Sequence, residues 1–146
     1  MSDGCLFCRI ARGEIPAHEI YRNDRLVAFL DIGPIRDGHV LIITCDHYET
    51  FDDLPPEIIS EITALGQRLA KIQKQVYQVN RVGFMFTGGD VAHAHAHVVP
   101  LADKHDITSQ HYIVETKLTY RTPPRPDDAL LRETAAVLSA RLRAQS

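Results

Sequence analysis

The sequence predicts an α+β fold, an antiparallel sheet of about five strands carrying one long helix and a C-terminal helix. Three observations predict it. Five short segments carry strand patterning, and the first two are joined by a tight turn. One long stretch between the third and fourth repeats apolar residues at helical spacing. Strands and helices do not alternate as βαβ units, so helices gathered on one side of an antiparallel sheet fit best.

Residues 19–22 and 26–31 are the first strand candidates, and Asn23-Asp24 between them reads as a hairpin turn. Gly33-Pro34 ends the second. Residues 39–44 are β-branched and nearly continuous in apolar character, the mark of a buried strand. The acidic and proline-rich run 52–57 reads as a helix start, because carboxylates suit the positive end of the helix dipole and proline is tolerated in the first turn. Ile58, Ile62, Leu65, Leu69, Ile72 and Val76 then form one stripe along a helix over 56–78. Residues 82–87 and 93–101 are the last strands, with Gly88-Gly89 after the first of them. A proline-rich connector over 120–128 leads to a tail helix, capped by Asp127 or Asp128, with Leu131, Ala135, Leu138 and Leu142 on one face. That helix packs on the sheet or on a second subunit.

The 146 residues suit one domain over 1–104 with an extension over 105–146. No apolar run approaches the ~18–20 residues of a membrane helix, and residues 1–10 lack the pattern of a signal peptide. Sixteen Lys+Arg against 19 Asp+Glu give a net charge of −3 without a basic stripe, so neither nucleic acid nor a membrane is an expected partner. Three cysteines do not make a secreted disulfide framework, and a cytoplasmic protein is expected.

The compositional oddity is histidine, at 18, 39, 47, 93, 95, 97, 105 and 111. On a strand, side chains alternate between faces, so His93, His95 and His97 would share one face while Ala94, Ala96 and Val98 pack on the other. Three imidazoles held only by structural hydrogen bonds would need three sets of partners. Two functional readings remain open from the spacing. One is a metal site, with His-x-His offering two nitrogens to one ion. The other is catalysis by imidazole itself, one nitrogen holding a proton on a carbonyl while the other attacks phosphorus. Cys5-x-x-Cys8 taken alone is either a redox dithiol or half of a zinc site. Cys45 reads as a small buried residue, and His18, His105 and His111 receive no role.

The run His93-Ala94-His95-Ala96-His97-Val98-Val99 resembles the histidine-triad pattern that names the histidine-triad (HIT) superfamily. The resemblance extends to Cys5-Leu6-Phe7-Cys8-Arg9-Ile10, Gly13-Glu14-Ile15-Pro16, residues 26–32 and residues 38–43, with His47 after them. It spans roughly residues 4–101 and is nearest the histidine-triad nucleotide-binding branch and its bacterial relatives.

The resemblance implies a HIT-like sheet and a covalent nucleotidyl-histidine mechanism on nucleoside monophosphate derivatives, cleaving P–N or related P–O and P–S bonds. It makes His95 the nucleophile, His97 the phosphate contact that assists leaving-group protonation, and His39 a member of the same polar network. It makes Asp31 the acceptor for ribose hydroxyls, and Phe7, Ile10, Phe29 and Ile32 the slot for a purine base. It assigns Cys5, Cys8, His47 and His93 to Zn²⁺; four ligands with no open position make that zinc structural. It also implies a twofold homodimer. The segment Thr87-Gly88-Gly89-Asp90-Val91-Ala92 departs from the pattern, being shorter and lacking an Asn, a Gln and a Ser. Gly89 can still bring its N–H to a phosphate, while Asp90 would repel one unless it orients a histidine or binds a substrate amine. Two alternatives stand beside the hydrolase. One is a dinucleoside polyphosphate hydrolase or nucleotidyl transferase on the same residues, and the other is a nucleotide-binding or scaffolding protein with little catalysis.

Overall fold

The computed structural model describes residues 4–103, Asp106 and residues 123–145. His105, His111 and the first part of the 120–128 connector lie outside the described residues. The elements run α1 (Leu6–Ala11), β1 (Glu19–Arg22), β2 (Leu26–Leu30), β3 (Val40–Thr44), a 3₁₀ turn (Phe51–Asp53), α2 (Pro56–Tyr77), β4 (Arg81–Phe86), β5 (His95–Leu101) and α3 (Asp128–Ala144). The five strands form one sheet in the order β1-β2-β3-β5-β4, every neighbouring pair antiparallel. No helix among the described residues is long and apolar enough to cross a membrane.

Asn23 makes the β1–β2 turn. Its Oδ1 accepts from the N–H groups of Arg25 and Leu26 at 2.9 and 2.7 Å, the local side-chain bonding that makes Asn a turn residue. β2 and β3 are buried at every position because both faces of the sheet are covered. Ala28, Leu30, Val40, Ile42, Ala96 and Val98 pack toward α2 and α3. Val27, Phe29, Leu41 and Ile43 pack the other way, with Phe7 and Ile10 of α1. This second face carries the histidines.

The long helix begins at Pro56, as expected for a helix over 56–78, and the acidic residues before it lie outside it. Asp52 and Asp53 sit in the 3₁₀ turn, closed by a Thr50–Asp53 capping box. The reason is Pro55-Pro56: a residue before proline is pushed into extended backbone, and Leu54 and Pro55 have ψ of 135° and 141°. The helix therefore starts at Pro56. Ile58, Ile62, Leu65, Leu69 and Ile72 are buried as the stripe requires, and Val76 packs at its edge.

Two details of α2 fix the loop before β3. Buried Gln73 donates its amide to the carbonyls of Gly38 and Val98 at 2.8 and 2.9 Å. Gly38 adopts φ +82°, and a Cβ there would lie 2.3 Å from the Tyr77 ring, so only glycine lets the chain turn into His39 at this point. The tail helix is capped by Asp127, whose Oδ1 accepts from the Ala129 N–H at 2.6 Å. Leu131, Ala135, Leu138 and Leu142 are buried in the same core as α2. α3 therefore packs on the sheet. Burying its three leucines contributes roughly 5–9 kcal/mol of transfer free energy, against the entropy of ordering the segment.

Two further differences from the sequence expectation shape the site. α1 was not expected; it is under two turns long and lacks a side-chain cap, so periodicity has too little to act on. The triad strand begins at His95 rather than at 93. β3 pairs with β5 only as far as Ile43–His95; beyond that, Ala94 donates its N–H to the Tyr48 carbonyl at 2.7 Å. His93 thus leaves the sheet just before the strand forms.

Candidate active site and metal centre

Cys5 caps α1 and Cys8 lies one turn further on, so their sulfurs project from one side of that short helix. His47 follows β3 and His93 precedes β5. One ligand atom from each of Cys5, Cys8, His47 and His93 lies within 4.8 Å of all the others. Cys5 Sγ and Cys8 Sγ stand 3.5 and 3.4 Å from His93 Nδ1; Cys8 Sγ stands 3.3 Å and His93 Nδ1 3.4 Å from His47 Nδ1. A tetrahedron with Zn–S of about 2.3 Å and Zn–N of about 2.05 Å has S···N edges of about 3.5 Å and N···N edges of about 3.3 Å. The cluster has the dimensions of a tetrahedral zinc site. His93 Nε2 donates to the Thr44 carbonyl at 2.9 Å, which leaves Nδ1 deprotonated and facing the sulfurs.

His39 and His97 form a directional chain beside His95, assigned from their hydrogen-bond partners. His95, 6% exposed, donates from Nδ1 to the His93 carbonyl at 2.7 Å, so the lone pair of a neutral ring resides on Nε2. The Phe7 ring meets it edge-on at 5.0 Å. His39 Nδ1 accepts the Ile35 N–H at 3.1 Å, which puts its proton on Nε2. That proton is donated to His97 Nδ1 at 2.9 Å. The proton of His97 is then on Nε2, 3.0 Å from Thr87 Oγ1. An Nε2 lone pair on His95 and an Nε2 proton on His97 thus stand two residues apart on one strand face. Asp31 lies opposite His39, its N–H donating to the His39 carbonyl, with Oδ2 3.8 Å from His39 Nε2. Its other oxygen accepts the Gly33 N–H at 2.8 Å.

Burial pushes His39 down to about 4, with Asp31 opposing and His97 adding to the shift. His97 is lowered too, first by burial and then by His95, against Asp31 and Asp90. The His39–His97 chain is therefore neutral at pH 7. Between about pH 6.5 and 4 the unfolded chain binds a proton at His39 that the folded protein refuses, so stability is lost as pH falls through that window. The slope from this one group is at most about 1.4 kcal/mol per pH unit. Urea titrations at pH 7.5, 5.5 and 4.5 should show this loss, and His39→Gln should flatten it. An unchanged slope in the variant would assign the acid sensitivity elsewhere.

Phe7, Ile10, Phe29 and Ile32 line one recess of about 420 Å³. Phe7 and Phe29 meet edge-on at 5.9 Å within it, and Ile32 stands at its mouth, 49% exposed. His18, Arg125 and Asp128 also line it; no motif pointed to them, because His18 is far in the chain from the Arg125–Asp128 pair. A second recess of about 230 Å³ opens on the other side of His95, between Glu49, Asp52, Thr87 and Gly88. It too was not foreseen, since Asp52 read only as part of a helix start and nothing in the pattern singled out Glu49. Asp52 accepts a hydrogen bond from Thr50 that holds its carboxyl below the ordinary value. Gly88 adopts φ +67°, and Gly89 and Asp90 are exposed beyond it. Asp90 lies near enough to His97 to favour its proton.

The sequence matches the HIT domain over residues 12–104. It is 33% identical over 100 residues to an uncharacterized HIT-like protein of Methanocaldococcus jannaschii, covering 66% of this chain and 78% of that one. It is 35% identical over 101 residues to adenosine 5'-monophosphoramidase HNT1 of Saccharomyces cerevisiae, covering 68% of this chain and 64% of the yeast protein. The fold is similar to that of a zinc-bound histidine triad family protein of Mycobacterium smegmatis, with a TM-score of 0.77 at 29% identity over 99% of this chain and 97% of that one. With the triad, its strand and the sheet in place, the chain belongs to the HIT domain family.

Proposed function

We propose that the protein hydrolyses nucleoside monophosphate derivatives through a nucleotidyl-histidine intermediate on His95. The chain is a hydrolase of the HIT type. The observation that carries the mechanism is the tautomer of His95: a proton anchored on Nδ1 by the His93 carbonyl and a lone pair on Nε2. His95 Nε2 attacks the α-phosphorus, the bond to the leaving group breaks, and the departing atom takes the His97 Nε2 proton. Water then attacks phosphorus, the P–N bond to His95 breaks, and the proton released by water restores His97. His39, donating to His97 Nδ1, holds His97 in the donor tautomer before the transfer and again once water has restored the proton. Asp31 accepts from ribose hydroxyls, the Phe7–Phe29 recess holds a purine, and the N–H of Gly89 faces the phosphate.

Zinc on Cys5, Cys8, His47 and His93 is structural: bound there, it supplies a four-way crosslink between α1 and the sheet. The protein works as a homodimer in the cytoplasm. The support is the edge position of β4 among the described residues and the exposed apolar rings of Phe51 and Phe84 for the dimer, and the grouping of Cys5 and Cys8 with two histidines rather than with each other in a disulfide for the cytoplasm.

The recess between Glu49 and Asp52 is where a leaving group beyond His95 would sit. Two carboxylates there favour a cationic amine and repel a polyphosphate. That favours P–N substrates over the dinucleoside polyphosphate alternative. The yeast relative is named a monophosphoramidase, and a second relative, 27% identical over 109 residues, is adenylylsulfatase HINT3 of Arabidopsis thaliana. Both names support a reading as a hydrolase of nucleotide derivatives. A panel comparing a nucleoside phosphoramidate bearing an alkylammonium arm with diadenosine tetraphosphate tests this reading. The phosphoramidate should have the higher kcat/KM by at least about tenfold, and Glu49→Gln with Asp52→Asn should narrow the gap. Equal or reversed rates would overturn the preference, and no turnover of either would favour a binding protein.

A further inference from the structure

The recess that holds Phe7 and Phe29 is apolar except at one place, where the chain's C-terminal segment reaches it. Arg125 precedes α3 and Asp128 opens it, so both lie beyond the residues 12–104 that match the family domain. An Arg125 guanidinium nitrogen donates to Asp128 Oδ1 at 3.1 Å, and His18 Nε2 stands 3.6 Å from the same oxygen. His18 itself is held by the sheet, its carbonyl accepting the Leu30 N–H at 3.0 Å. Their place at an otherwise apolar recess is the observation to be explained, since burying Phe7, Ile10 and Phe29 needs no charged rim.

We propose that Asp128 and Arg125 read the edge of the base and make this site prefer guanine to adenine. The inference rests on the nucleotide reading of the recess and adds to it a choice of base. A carboxylate carries only acceptors and a guanidinium only donors. Guanine presents O6, N1–H and N2–H side by side: one acceptor beside two donors. The pair meets all three, with both Asp128 oxygens on the N–H groups and an Arg125 N–H on O6. Adenine presents one donor, N6–H, beside the N1 lone pair, which faces a carboxylate oxygen without a proton between them. The discrimination is one of matched against opposed polar groups, the kind that separates bases most sharply. Both side chains are more than half exposed, so water competes and the preference is modest, about tenfold.

The test is calorimetric titration of the intact protein with GMP and with AMP, repeated for Asp128→Ala and Arg125→Ala. GMP should bind about tenfold tighter than AMP to the natural protein. Asp128→Ala should bring the two within about twofold by weakening GMP alone, and Arg125→Ala should reduce the preference less. The GMP to AMP ratio within each variant is its own control for folding. Equal binding of both nucleotides to the natural protein, or a ratio unmoved by Asp128→Ala, would overturn the base preference and leave the nucleotide reading standing. Failure of both nucleotides to bind the natural protein would overturn the two together.

Discussion

Replacing His95 with alanine should lower turnover of a nucleoside phosphoramidate by at least about 10⁴-fold while leaving nucleotide affinity within a few-fold. His95 is the triad histidine whose Nδ1 proton is committed to a backbone carbonyl, so its loss removes the attacking lone pair and leaves the base recess and Asp31 in place. The substitution also deletes a buried ring beside Phe7 and will cost some stability, so turnover is compared below the melting temperature of both proteins. His97→Ala should cost less, about 10²–10³-fold, because it removes a proton donor rather than the nucleophile. Its penalty should shrink with leaving groups that need no proton. A residual rate within tenfold of the natural protein in His95→Ala would assign the attack to another group.

The second large effect concerns the cysteine–histidine cluster. The purified protein should carry one zinc per chain, and Cys8→Ala should abolish it. Cys8 is buried, and its sulfur stands within 3.4 Å of both histidine nitrogens of the set. Without metal, burial and the neighbouring Cys5 push its thiol up, so the metal-free cluster holds protons that zinc would displace. Losing the crosslink should lower the melting temperature by about 10 °C, which for this size corresponds to roughly 3–5 kcal/mol. A coupled effect on rate should accompany it. The His93 carbonyl fixes the His95 proton while the His93 ring belongs to the cluster, so Cys8→Ala should reduce kcat more than it raises KM. Zinc content and melting temperature unchanged in Cys8→Ala would refute a structural metal at this place.

The parts of the fold that read from sequence are those fixed by a repeated pattern. The Ile58–Ile72 stripe and the Leu131–Leu142 face each recur over enough residues for one period to dominate, and the Asn23 turn has a residue type whose side chain bonds its own backbone. What escaped was set by single local conflicts. Pro55-Pro56 keeps the acidic residues before α2 outside it, and α1 is too short to show a period. The three triad histidines are not equivalent. Two lie on a strand, and His93 sits two residues before its start, so alternation alone places them together and misses their division. The ligand set and the base slot came from resemblance, because Cys5, His47 and His93 are far apart in the chain and spacing says nothing of their meeting. The tautomer chain through His39 and His97 rests on the Ile35 N–H and Thr87. His18, Arg125 and Asp128 share a recess only because α3 packs beside β1 and β2. None of these neighbours leaves a mark in the sequence.

The mechanism requires that His95 become covalently attached to the nucleotide. A rapid-quench reaction with a nucleoside phosphoramidate, stopped in alkali within the first turnover and read by mass spectrometry, tests it most directly. A mass increase of one nucleotidyl group is expected on the peptide containing His95, rising before steady state and absent from His95→Ala. Full turnover with no adduct at any quench time, or an adduct on another residue that survives in His95→Ala, would contradict it.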